Sequence, residues 1–101
     1  MTQLLDIKPI RFNPGTTEGH KQIAIGTNLY NAYIPGDATC ILMQATDDDV
    51  RVTFDGTTPT VNIGFRLTAG EAPILFELTE HMRLNFYGEA GGSILQYCFG
   101  N

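Results

Sequence analysis

Tryptophan is absent from this sequence, cysteine occurs twice, and charge is scarce. Only 17% of residues are charged, against roughly 25% in an average globular protein. A disordered chain shows the opposite balance, so the composition excludes disorder for most of the length. Basic residues are the rarer sign: six Lys and Arg stand against eleven Asp and Glu, for a net charge of −5. A general nucleic-acid binder needs a basic surface to displace counterions from phosphates, and this chain offers none overall. Long apolar runs are missing too. The longest, Cys40-Ile41-Leu42-Met43, falls far short of the roughly 20 residues of a membrane-spanning helix. Residues Met1 to Asp6 show neither a basic cluster nor a long apolar core, so no secretory signal is visible. Two cysteines do not make a disulfide framework. Cys40 and Cys98 each sit in an apolar run, where a reduced thiol behaves as a small hydrophobe. A bridge between them requires that their strands be neighbours.

What is present is alternation. The 101 residues, 43% of them hydrophobic, suit one domain of the usual size. Val50, Val52 and Phe54 alternate with Arg51, Thr53 and Asp55. Val61, Ile63, Phe65 and Leu67 alternate with Asn62, Gly64, Arg66 and Thr68. The same period of two recurs at Ile74, Phe76 and Leu78, at Met82, Leu84 and Phe86, and at Leu95, Tyr97 and Phe99. Successive strand side chains point to opposite faces, so each run offers one apolar face to a core. Ile23 to Ile25 and Cys40 to Gln44 add further strands. Gly and Pro fall between the runs: Asp55-Gly56, Ala69-Gly70-Glu71 and Glu89 to Gly92 read as turns. Gly64 alone interrupts a strand, the mark of a bulge or of close backbone approach. No ten-residue stretch carries a helical stripe. The pattern predicts an all-β fold, an antiparallel β-sandwich or jelly roll of seven or eight short strands. Its expected core holds Val52, Phe54, Ile63, Phe65, Leu67, Phe76, Leu84, Phe86, Leu95 and Tyr97.

Residues 1–20 lack this alternation. They place Ile10 and Phe12 between Pro9 and Pro14, apolar groups with no evident strand to hide them. The segment reads as an irregular lead-in or edge strand, or as an arm that packs on a neighbour; residues 21–101 form the single sandwich domain. Tyr30 and Tyr33 join Ile10 and Phe12 as candidate interface residues, since tyrosines are frequent both in interfaces and in ordinary cores.

Groups that carry chemistry are few. Asp47-Asp48-Asp49, with Asp55 nearby, suits either a solvated turn or oxygen ligands for Ca²⁺, but lacks the spacing of an EF-hand. His20 and His81 fall in no metal-ligand spacing. Neither a Gly-x-Ser-x-Gly elbow nor a phosphate-cradling loop is present. The expectation is a protein that is not an enzyme and needs no cofactor or metal.

Residues 49–99 carry a strand leading into Asp55-Gly56-Thr57-Thr58-Pro59-Thr60, then Gly64-Phe65-Arg66-Leu67-Thr68-Ala69-Gly70-Glu71, then three more strands. This stretch resembles small β proteins encoded among the virion genes of tailed bacteriophages. The resemblance implies a virion structural protein, most simply a capsid decoration (cement) protein on the outside of the shell. Its expected partner is the major capsid protein of the same phage, with a homotrimer as the expected assembly and no role for nucleic acid or membrane. The implied location is the capsid surface of the virion, after synthesis in the bacterial cytoplasm. The alternative is a tail or head-fibre module recognising a carbohydrate or receptor.

Overall fold

The computed structural model describes residues 20–101, so the arm expected over residues 1–20 lies almost wholly outside the described residues. Eight strands follow in order: β1 (Lys21–Ala24), β2 (Leu29–Ala32), β3 (Cys40–Asp47), β4 (Val50–Thr53), β5 (Phe65–Leu67), β6 (Ile74–Glu77), β7 (Leu84–Gly88) and β8 (Ser93–Gly100). One sheet has the order β1-β8-β3-β6 and the other β2-β7-β4-β5. The pairs β1–β8, β2–β7, β3–β6 and β4–β5 are all antiparallel, as if the chain were one long hairpin. Rolling that hairpin brings β8 beside β3 and β7 beside β4. The result is a jelly roll.

The alternation read from the sequence becomes the two faces of each sheet. Along β8, Leu95, Tyr97 and Phe99 are buried and face Ala45, Met43 and Ile41 of β3 across the ladder. From the other sheet come Val50 and Val52 of β4 and Leu84 and Phe86 of β7. Each such side chain contributes about 1.5–3 kcal/mol relative to an exposed one. Aromatic stacking orders the centre: Phe86 lies 6.3 Å from Tyr97, ring centre to ring centre, and Tyr97 meets Phe99 edge-on at 5.5 Å.

Two expectations about this core need correcting. The alternation from Val61 to Leu67 does not give one long strand. Only Phe65–Leu67 pairs with β4. Upstream, the amides of Thr60 and Ile63 each donate to the other's carbonyl, and the Asn62 amide donates to the Thr60 hydroxyl, closing a tight turn. Gly64 joins turn to strand at φ +116°, where a Cβ would stand 3.1 Å from the Val52 carbonyl oxygen. This is the close approach its place in the sequence suggested. Second, Ile63 and Phe65 are not buried: they are 46% and 72% exposed. Phe54 and Phe76 are half-buried against the edge of the core, and the other six expected core residues are buried.

Candidate interaction surface

The exposure of Phe65 has a geometric cause. Residues paired across a ladder share a face. Phe65 pairs with Val52, which is 1% exposed, so Phe65 faces inward. Likewise Ile74 of β6 pairs with the buried Met43, and Phe76 with the buried Ile41. Strands β5 and β6 are the outer strands of their sheets on the same side of the sandwich, and among the described residues neither has a second neighbour. Between them the inner face is only partly covered. Phe54 stands there, stacked on Phe76 at 4.1 Å and tilted against Phe65 at 6.0 Å. The inner face of the sandwich thus reaches solvent as an apolar mouth, and on its β4–β5 side, lined by Phe54, Asp55, Thr57, Ile63 and Phe65 and by no residue of β6, lies a groove of about 460 Å³. Val61 in the turn and Leu75 on the outside of β6 extend the patch, both nearly half exposed.

The lip of the mouth is firmly held. The Arg83 amide donates to the Phe54 carbonyl at 2.9 Å. The Thr53 hydroxyl donates to the Thr57 carbonyl, and Pro59 is fully buried. Asp55 accepts the Thr57 amide at 3.0 Å, and hydrogen bonding to Thr57 holds its carboxyl below the usual range. Behind β5 the Glu89 carboxylate takes Arg51 Nε at 2.8 Å and Arg66 Nε at 2.9 Å. The hydrogen bond from Arg66 leads in holding the Glu89 carboxyl below its ordinary value; the contact with Arg51 adds to it and burial opposes it. Arg51 also donates to the Gly64 carbonyl at 2.8 Å, so this ion cluster fixes the edge strand.

A second surface differs in character. The outward residues of the β1-β8-β3-β6 sheet include Gln22, Ala24, Leu42, Gln44, Thr46, Leu75, Glu77, Ile94, Gln96 and Cys98. One of these is charged, in a chain of net charge −5. His20 hydrogen-bonds Gln96 on this face at 3.0 Å.

The residues singled out from sequence are placed as follows. Tyr30 lies in β2 with its ring against Phe86 and Tyr97, and its hydroxyl shares a 2.9 Å hydrogen bond with that of Tyr97. Tyr33 follows β2 and is 73% exposed. Ile10 and Phe12 lie outside the described residues. Asp47 to Asp49 form the β3–β4 turn, with Asp47 at φ +69°. Asp49 accepts the Ala69 amide at 2.8 Å and stands 3.7 Å from Arg66. Among the described residues, no three His, Cys, Asp or Glu side chains come close enough to share a metal ion. Cys40 and Cys98 are free thiols on neighbouring strands, two positions out of register on the same face. Burial, and then the neighbouring Cys40, push the Cys98 thiol up. No described helix is long and apolar enough to cross a membrane.

The mouth itself was missed in the sequence. Its signal was there in Ile74-Leu75-Phe76: consecutive apolar residues cannot all face one core. Comparison with family models, with curated proteins and with solved structures finds no match to this chain.

Proposed function

We propose that this chain is a virion structural protein of a tailed bacteriophage, a decoration (cement) protein attached to the outside of the capsid. The observation that carries this reading is the open mouth. Inward-facing Phe65 and Ile74, with Ile63, Val61 and Leu75 beside them, account for five of the seven large apolar residues exposed among those described. Scattered apolar residues on a surface are ordinary, but a concentration at one edge marks a contact surface. The likeness of residues 49–99 to phage virion proteins supplies the setting. A decoration protein needs shape, rigidity and contact surface rather than reactive groups. The jelly roll supplies the first two, and the mouth and the nearly uncharged β1-β8-β3-β6 face supply the third. The major capsid protein is the proposed partner, and a ring of three copies the proposed form, since closed rings are the usual way to repeat one contact.

A second reading is a tail or fibre module that binds carbohydrate. It is favoured by exposed Tyr33 beside Asn31 and Arg83 around an open hollow of about 440 Å³.

Copy number tests the proposal. Particles of the phage that encodes the chain are purified, and the chain is quantified against the major capsid protein by densitometry. On the order of hundreds of copies per particle are expected for a repeated shell position. Tens of copies would favour the fibre module. Absence from particles would refute both readings.

A further inference from the structure

We propose that the mouth between β5 and β6 receives the segment Ile7–Phe12 of a second copy of this chain, which adds as an extended strand. The inference rests on the reading of the chain as an assembling protein and names the contact that assembles it.

Four observations select this occupant. The first is shape. Among the described residues each of β5 and β6 has one free edge, and a free edge offers unpaired N–H and C=O groups to an incoming strand. The second is pattern. In an extended Ile7-Lys8-Pro9-Ile10-Arg11-Phe12, Lys8, Ile10 and Phe12 fall on one side and Ile7, Pro9 and Arg11 on the other. Ile10 and Phe12 match the uncovered Phe65, Ile63 and Ile74, and Lys8 at the start of the same side falls toward the rim.

The third is charge. Setting aside Lys8, Arg11, Asp6 and Glu18, residues 20–101 hold four basic and nine acidic groups. Two such bodies repel, whereas Ile7–Phe12 carries two positive charges and no negative one. Asp55, an exposed carboxylate, lines the receiving groove.

The fourth is reach. The segment joins the fold at β1, on the opposite edge of the sheet from β6. Three strand spacings, about 14 Å, and a sheet-to-sheet step of about 10 Å separate β1 from its own mouth. The seven residues from Asn13 to Gly19 span at most about 23–25 Å. The two steps are at right angles, about 17 Å in a straight line, but the linker must pass around the sheet rather than through it, so reaching the chain's own mouth takes most of its length. In a head-to-tail ring the β1 edge of one copy adjoins the β6 edge of the next, and the same linker reaches easily.

The areas agree with a stable contact. With ordinary side-chain areas, Val61, Ile63, Phe65 and Ile74 expose together about 350–400 Å². A standard interface buries about 800 Å² per partner, of which about 60% is apolar.

The test uses the full chain. Light scattering is expected to give a multiple of the 11.1 kDa chain mass. Ile10→Ser with Phe12→Ser, and separately Phe65→Ser, should each return it to a single chain with an unchanged near-ultraviolet circular dichroism spectrum. Next, Phe12→Cys and Phe65→Cys are combined in a Cys40→Ala, Cys98→Ser background and oxidised with diamide. Bands of linked chains should appear on non-reducing gels, and neither single cysteine should give them. A monomeric wild type, or assembly that survives either serine variant, would overturn the proposal. So would a bridge within one chain, which means an arm folded on its own mouth, or linkage through Phe65→Cys alone, which means mouth against mouth. Particle binding is scored separately. Linked chains that never join particles would sink the virion reading and leave the arm contact standing. Decorated particles built from monomers would do the reverse.

Discussion

Replacing Gly88 by alanine should destabilise the fold sharply. Gly88 ends β7, opposite Val50, and is buried beneath the β1–β2 turn. A Cβ there would stand 1.6 Å from the Gly26 carbonyl oxygen, 2.8 Å from the Gly26 carbonyl carbon and 2.7 Å from the Ser93 Cβ. No contact under 3 Å can persist, and two of the three opposing atoms are backbone. The turn would have to retreat by more than 1 Å. It is tied down by the Gly26 amide on the Ser93 carbonyl at 3.1 Å and by the Asn28 amide and side chain on the Ile25 carbonyl. Overpacking alone costs about 1–3 kcal/mol, and each backbone bond given up adds about 1 kcal/mol. We expect a loss near 3 kcal/mol, which in a domain of this size lowers Tm by about 12–24 °C. Urea unfolding followed by circular dichroism measures it. Gly91→Ala is the control: nothing lies within 4 Å of its added methyl, so a change within about 0.5 kcal/mol is expected. A Gly88→Ala protein as stable as wild type would refute the packing of β7 against the turn.

Leu67 and Phe65 share one strand face, yet Leu67→Ala should cost about 2–4 kcal/mol and Phe65→Ser within about 0.5 kcal/mol in the diluted, monomeric chain; equal losses in a denaturant titration would contradict the open mouth. Glu89 titrates below its ordinary value when folded, so its stabilisation is complete above about pH 4.5 and is lost as pH falls through the lowered value. Glu89→Gln should flatten that acid limb and cost about 1–2 kcal/mol at pH 7, because Arg51 keeps a half-buried charge; an unaltered pH profile of Tm would count against the cluster. EDTA should leave Tm unchanged, whereas a fall of several degrees restored by Ca²⁺ would place a cation at Asp47 to Asp49 or Asp55.

The strands were legible because a two-layer sandwich imposes period two on every segment with one dry face. Val50, Val52, Leu84, Phe86, Leu95 and Tyr97 follow that rule and are buried. Phe65 follows the same rule and is exposed, because alternation reports which way a side chain points and not whether anything lies opposite it. Burial of an edge residue depends on strand order, and strand order is set by pairings between segments distant in sequence. Ile63 misled for a different reason: the Thr60 to Ile63 turn preserves the spacing of a strand without its pairing. The tyrosines show the same limit, since Tyr30 and Tyr33 are three residues apart, one against Tyr97 and the other in solvent.

The position of β8 governs how the molecule is born. Last in the order of the described strands, it lies between the first and the third, so β1 has no hydrogen-bonded neighbour among the described residues until residues 93–100 have left the ribosome. Synthesis adds about 5–20 residues per second, and through that interval β3 has β6 alone beside it and an apolar flank uncovered. Non-local pairing of this kind folds in roughly milliseconds to seconds. A ribosome stalled before Ser93 should therefore hold a chain that proteases cut freely, and protection should appear only once residues 93–100 have left the ribosome.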